Sequence, residues 1–507
     1  MARGGDAMIR AKIGNETYRF FEELEMYFSQ FRKNIVGNEQ YFISPYGEKR
    51  MIYADWIASG RLYRPIETKI CDEFGPFFAN THTESNITSS VMTLAYKQAQ
   101  KIIKKHVHAD EHDVIIMDGS GMTGVVNRLQ RMMGLRWPEM AKDKGTIAED
   151  NRPIIFITHM EHHSNQLSWL ETIGDVIIVE PDEEGRVSVE QLELLLEKYR
   201  RRKWKIGSFT ACSNVTGIQT PYHQLAKTMH EHGGICFIDF SASAPYVDID
   251  MHPPSPLEKL DGIFFSPHKF LGGPGSSGVL IFDSRLYSNE VPDKPGGGTV
   301  LWTNPWGGHQ YIHNIEMRED GGTPGIIQTI KAALCIKLKE QMGTKNMLRR
   351  EKELMDILMP GLKSIPKLHV LDGHIAERLG IVSFFVEGIH YNLIVRLLND
   401  RFGFQVRGGC SCAGTYGHYL LKIDHSMSEL IASQITQGDF SSKPGWVRFS
   451  VHPTMSNREI YEFITAMHRI IENIAEWKKE YIYDHETNDF YYIGYKRRDM
   501  DRAFCLY

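Results

Sequence analysis

Between residues 113 and 283 the chain repeats one pattern: a short run that is apolar on both faces, then a stretch with helical spacing. The runs are DVIIMDG (113–119), PIIFITH (153–159), DVIIVE (175–180), KIGSFTACS (205–213), GICFIDF (234–240) and SGVLIFD (277–283). They are rich in Ile and Val and lack polar alternation, which predicts buried parallel strands. Between them, VEQLELLLEKYRRRK and YHQLAKTMHEHG carry apolar residues three and four apart, which predicts helices. The alternation as a whole predicts an α/β fold, a mostly parallel sheet with helices on both faces. The ligand crevice of such a sheet opens beyond the carboxyl ends of its strands.

The flanks read differently. In residues 1–50, Phe20, Phe21, Leu24, Tyr27 and Phe28 recur at helical spacing, suggesting an accessory segment with an amphipathic helix. From about residue 350 a smaller α+β unit begins, with strands in GIVSFFVEG (380–388) and WVRFSVHP (446–453). Ser456 and Glu459 have capping-box spacing. They introduce a helix whose stripe of Ile460, Phe463, Ile464, Met467, Ile470, Ile471, Ile474 and Trp477 reads as core. The chain thus divides into an accessory segment (1–50), a large α/β domain (51–345), a small α+β domain (346–481) and a tyrosine-rich tail (482–507) with no evident role.

Composition narrows the function. A length of 507 residues suits a large catalytic domain plus a smaller one. With 58 basic against 63 acidic residues the net charge is −5, and no long basic run stands out, which argues against nucleic acid as a partner. Seven irregularly spaced cysteines make no disulfide framework and point to a reducing, cytoplasmic setting. No apolar stretch approaches the length of a membrane span or a signal-peptide core.

The polar residues just after the strands are the candidates for chemistry. In GIFFSPHKFLGGPGSSGVLIF (262–282), Ser266, His268 and Lys269 follow an apolar strand. A lysine so placed can lose charge and act as an amine nucleophile, although alone it reads better as a loop lysine. Asp239 ends the strand of GGICFIDFSAS, and a buried acid there needs a cationic or hydrogen-bonding partner unless it is a turn or cap residue. MDGSGMTGVVNRL combines Gly119, Gly121 and Gly124 with a helix start near Met122. Its backbone N–H groups and the Thr123 hydroxyl suit a phosphate, a weak signal alone. His162 in THMEHHSNQLSW can stack on a flat ring and move protons as a catalytic residue, or be structural, and Asn214 in TACSNVTGIQTP follows a further strand.

Taken together and in this order, these segments resemble the class V aminotransferase family of fold-type I pyridoxal-phosphate (PLP) enzymes. The likeness is strongest to its cysteine desulfurase and selenocysteine lyase branch, and spans about residues 50–475. The resemblance implies PLP held by Lys269 as a Schiff base, Asp239 on the pyridinium nitrogen and His162 stacked on the ring. It implies Gly121, Met122, Thr123, Ser266 and His268 on the phosphate, and Asn214 near the phenolate oxygen and the substrate. Thr299, in KPGGGTV, is implied to reach the phosphate of a partner subunit, hence a homodimer. Arg448, in PGWVRFSVHP, is implied to pair with the carboxylate of an amino-acid substrate. MIYADWIASGR (51–61) resembles the substrate loop, with Asp55 and Ala58. One departure is Ala242, where the family usually has a glutamine that bonds the phenolate oxygen.

FQVRGGCSCAGTYGHYLL (404–421) places Cys410 and Cys412 in a glycine-flanked loop. Cys412 matches the catalytic cysteine of the desulfurases, where a thiolate takes sulfur from the substrate and passes it to an acceptor protein. A redox pair or a plain loop remains open; a metal site is disfavoured, because no second cysteine pair exists. The expected function is a PLP-dependent C–S or C–Se lyase. The alternatives are another class V activity that needs no cysteine, or a non-catalytic scaffold.

Overall fold

The computed structural model describes residues 15–81, 83–139, 147–494 and 500–505. Its centre is a seven-stranded sheet of β1 (Asp113–Asp118), β2 (Ile154–Thr158), β3 (Asp175–Val179), β4 (Lys205–Thr210), β5 (Ile235–Asp239), β6 (Gly262–Phe265) and β7 (Gly278–Asp283). The spatial order is β1-β7-β6-β5-β4-β2-β3. Neighbours from β3 across to β6 are parallel, and β7 runs antiparallel to both β1 and β6.

The direction of β7 corrects the reading of SGVLIFD as one more parallel strand. A parallel return needs a crossover of a dozen or more residues, usually a helix. The link from Phe265 to Gly278 is spent on a single 3₁₀ turn, Pro267–Lys269, and a glycine-rich loop, so the chain comes straight back. Apolarity on both strand faces has a direct cause. Ile155 and Ile157 enter one core with Trp169 and Phe237, while Ile154 and Phe156 enter the other with Val179 and Phe209. Helices α1 (Met122–Met132), α2 (His163–Leu170), α3 (Val189–Lys198) and α4 (Tyr222–Glu231) follow strands in the expected positions.

A second, antiparallel sheet holds β8 (Leu368–Val370), β9 (Ile381–Val386), β10 (Arg407–Gly409) and β11 (Trp446–Ser450) in the order β8-β9-β11-β10. Two stretches join Ile52–Tyr53 and the residues after it to this region. Ile52–Tyr53 pairs in parallel with Phe404–Gln405, and the Ser450 N–H donates to the Ala54 carbonyl at 2.8 Å. Helix α5 (Asn457–Trp477) starts with the expected capping box between Ser456 and Glu459, and Ile460, Phe463, Met467 and Ile470 are buried.

The N-terminal helix Asn15–Arg32 is packed rather than appended. Leu24, Phe28 and Phe31 are buried, and Arg32 meets Glu459 at 2.5 Å; the side chains of Phe20 and Phe21 lie outside those described. The tail forms a hairpin, Tyr481–Asp484 with Asp489–Tyr492, and Asn488 at its turn donates to the Tyr391 hydroxyl at 2.6 Å. The segment LWTNPWGGHQYI forms another hairpin, Val300–Thr303 with His309–Tyr311, that leaves Trp302 and Trp306 exposed. Among the described residues no helix is long and apolar enough to cross a membrane.

Candidate active site

One cavity of about 320 Å³ opens beyond the carboxyl ends of β4, β5 and β6. It is lined by Ala58, Gly121, Met122, Thr123, His162, Asn214, Asp239, Ser266, His268, Lys269, Cys412 and Arg448, whereas Asp55, Cys410 and Thr299 stand outside the lining. Thr299 lies in its own loop, fully buried, its hydroxyl donating to the Gly296 carbonyl at 2.6 Å. None of the residues of the Trp302–Trp306 hairpin lines the cavity.

Lys269 closes the turn that ends β6. Pro267 cannot donate to a sheet ladder, so the strand stops and the next two side chains swing into the cavity. Burial penalises the ammonium and, with Arg448 nearby, outweighs the opposing pull of Asp239; the amine is pulled down to about 8. Asp239 sits at the end of β5, buried, with Oδ1 accepting the Ser241 N–H at 2.8 Å. Burial raises its pKa, and the charge of Lys269 partly offsets this.

The start of α1 faces the same turn. The Met122 N–H donates to Ser266 Oγ at 2.8 Å, and Thr123 Oγ1 lies 2.7 Å from Ser164 Oγ. A Cβ on Gly121 would come within 3.0 Å of Ser266 Oγ and 3.4 Å of the His268 ring, so glycine keeps this cradle open. Burial and the Lys269 charge push His268 down to about 4, which leaves it neutral.

His162 caps α2 and accepts the Ser164 N–H on Nδ1 at 3.1 Å. Burial, Lys269, His163 and Arg448 push it down to about 3. A neutral ring whose Nδ1 accepts a hydrogen bond carries its proton on Nε2 and presents a flat face for stacking. The preceding residue, buried Glu161, takes hydrogen bonds from Thr158, Asn165 and the Thr210 N–H, and burial raises it to about 7.

Cys412 is exposed and Cys410 half-buried, outside the cavity lining. Ser411 and Cys412 both have left-handed backbone, at φ +53° and +57°, a strained pair for residues other than glycine. The turn is held by its surroundings: the Asn214 amide donates to the Ser411 carbonyl and the His163 N–H to the Cys412 carbonyl, each at 2.8 Å. A thiolate here lies within electrostatic reach of Lys269, Arg407 and Arg448.

Arg448 is buried on β11, with Nη1 donating to the Asn214 carbonyl at 3.1 Å and Nη2 to Asp55 Oδ1 at 2.9 Å. Asp55 Oδ2 also accepts from Arg407 Nε at 2.9 Å. Sequence reasoning missed the link of Arg407 to Asp55, and missed Ser120, Ser164 and Ser241 in the lining. The hydroxyl residues beside the motifs were the available signal. Ala242 lines the cavity, so no side-chain amide from that position reaches it.

The residues present fit PLP. The cavity pairs a depressed lysine with a buried carboxylate that wants a cation, and a glycine-kept cradle at a helix start. Asn214 Oδ1 and Arg448 Nε are buried without partners. A crevice at the strand ends of a mostly parallel sheet, carrying these groups, defines a fold-type I PLP-dependent enzyme. The chain belongs to the class V aminotransferase family, whose description, Aminotransferase class-V, matches residues 52–463. It is 26% identical over 371 residues to a probable cysteine desulfurase of Halalkalibacterium halodurans, covering 72% of this chain and 84% of that one. A probable cysteine desulfurase of Streptomyces coelicolor is 25% identical over 372 residues, with the same coverage. The fold matches the apo structure of a cysteine desulfurase from Thermococcus onnurineus with a TM-score of 0.69 at 22% identity, over 88% of this chain and 98% of that one. It matches the cysteine desulfurase CsdA of Escherichia coli at 0.67 and 19%, with the same coverage.

Proposed function

We propose that this protein is a PLP-dependent, cysteine-desulfurase-like C–S (or C–Se) lyase in which Cys412 accepts the sulfur. The observation that carries the reading is an exposed cysteine in the same cavity as Lys269 and Arg448. When bound, PLP supplies an electron sink that lets the Cα–H bond of an amino acid break. Lys269 Nζ would hold the cofactor covalently and would be the base that takes the Cα proton. Asp239 would keep the ring nitrogen charged, His162 would cover the ring face, and Ser266, His268, Thr123 and the backbone of Gly121 and Met122 would take the phosphate.

The Cys412 thiolate then attacks the substrate sulfur. An S–S bond forms, the C–S bond breaks, and its electron pair stays on the substrate carbon, which is protonated. Cysteine plus enzyme thiol thus gives alanine plus enzyme persulfide, with atoms and electrons balanced. The persulfide sulfur passes to an acceptor, a second protein or a small thiol. We also propose the family's homodimer; for Thr299 to reach the partner's phosphate its loop must open from the buried state in which the hydroxyl donates to the Gly296 carbonyl.

The test is to supply PLP-loaded protein with L-cysteine and assay alanine and sulfide, with Cys412→Ser alongside. Alanine from the wild type and none from the variant supports the reading. No alanine from a wild type that retains its visible cofactor band refutes it and turns the search to other class V chemistries.

A further inference from the structure

Asp239 runs straight into a stretch of tight turns, residues 240–247. The N–H groups of Ser243 and Ala244 donate back to the Phe240 carbonyl, and those of Tyr246 and Val247 to the Ser243 carbonyl. The stretch carries the Ser241 N–H that holds Asp239 Oδ1, and the side chains of Ser241 and Ala242 line the cavity beside it. Like the last turn of a helix, it leaves carbonyls that its own N–H groups cannot reach. Two of these are met from outside by one side chain: Lys339 Nζ donates to the Ala244 carbonyl at 2.8 Å and to the Val247 carbonyl.

Lys339 stands on the helix Ile326–Met342, which also braces the turn that carries Lys269. Lys331 Nζ donates to the Pro274 carbonyl at 3.2 Å, and Cys335 Sγ lies 3.9 Å from the Pro267 carbonyl oxygen. Lys339 Nζ itself sits 5.8 Å from the ring centre of Phe270, the neighbour of Lys269. The lysine is 2% exposed, and a charge so buried is costly unless its donors are used. An ammonium has three donors, and the third goes to His106 Nε2 at 3.2 Å. Burial and the ammonium push His106 down to about 4, so the ring is neutral. Its proton then sits on Nδ1, facing Glu340 Oε1 at 3.3 Å. The lysine is thus aimed at the backbone of the stretch that follows Asp239.

We propose that Lys339 is a positioning residue for the cofactor site: by capping the 240–247 stretch it fixes the Ser241 N–H and, through it, the carboxylate of Asp239. This rests on the reading of the cavity as a PLP site. Lys339 stands outside the cavity lining, so its effect on the cofactor travels through Asp239.

The test is a pH titration of the visible band of the PLP-loaded protein, without substrate, in wild type, Lys339→Met, Asp239→Asn and the double variant. Lys339→Met should move the midpoint in the same direction as Asp239→Asn, by about one pH unit, the tenfold scale of a lost charge-assisted hydrogen bond. The double variant should shift no further than Asp239→Asn alone, because the lysine acts through the aspartate. An unmoved midpoint in Lys339→Met, even with a lower denaturant midpoint, marks a lysine that serves stability alone and overturns the inference. Shifts that add in the double variant also overturn it, because the charge of Lys339 then acts without Asp239. A wild type that shows no visible band after loading overturns both the inference and the PLP reading. Should Lys339→Met fail to fold, Lys339→Gln, whose amide keeps a donor for one carbonyl, should give a smaller shift of the same sign. An unmoved midpoint in that variant overturns the inference.

Discussion

A lysine held near 8 makes a rate prediction for cofactor capture. Only the free amine attacks the PLP carbonyl, so the rate follows its neutral fraction. With Lys269 near 8, about a quarter of the amine is neutral at pH 7.5, against about one part in a thousand for an ordinary lysine. The cavity should therefore give about a two-hundredfold advantage at that pH. The assay is stopped-flow mixing of apoprotein with PLP across pH 6–10, following the visible band; Nα-acetyl-lysine is run in parallel and its rate, corrected for its own neutral-amine fraction, divides out the cofactor's titration alone. The normalised rate should rise tenfold per pH unit well below 8 and level off above it. Lys269→Ala should show no band. The sign of the Asp239 contribution is also fixed: its charge raises the lysine, so Asp239→Asn should move the midpoint below 8. A normalised rate still climbing at pH 10 would refute the assignment of Lys269 to a desolvated site.

Two further outcomes test the scaffold. Gly60→Ala puts a Cβ 1.9 Å from the Phe270 carbonyl oxygen, so the turn carrying Lys269 must shift; we expect a loss of about 2 kcal/mol, read as a lower denaturant midpoint, together with weaker PLP retention. Ser456→Ala removes half of the capping box of α5 and should cost about 1 kcal/mol in the same titration while leaving the cofactor band unchanged.

What was legible in the sequence was local. Each motif stands where an apolar run turns polar, because a strand buried on both faces must shed its hydrophobic pattern where it meets the ligand crevice. Lys269, Asp239, His162, Asn214 and the glycine turn could therefore be placed without knowing which strands were neighbours. Long-range register could not be read this way. Arg407 faces Arg448 only because β10 pairs with β11, and Asp55 arrives from hundreds of residues away through Ile52–Tyr53 and Phe404–Gln405. The antiparallel course of β7 was hidden because its composition matches its parallel neighbours; only the lack of a crossover helix in the link from β6 betrays it. The tail hairpin was missed because its anchor, Asn488 against Tyr391 and Asn392, is a tertiary contact with no periodic signature.

The segment from Ala54 to Arg61 ties the two halves of the site together. On one side its backbone joins Gln405 and, in the second sheet, Ser450, which positions Asp55 between the two arginines. On the other side the Gly60 N–H donates to the His268 carbonyl at 2.9 Å, inside the turn that presents Lys269. Trp56, stacked on buried His452 at 4.1 Å, fixes the segment between these anchors. The distance between lysine and arginines is thus set by one short, doubly hydrogen-bonded stretch rather than by the packing of two sheets alone. A displacement at Gly60 should consequently disturb both ends, weakening PLP retention and amino-acid affinity together, whereas a change at Ser456 should reach neither.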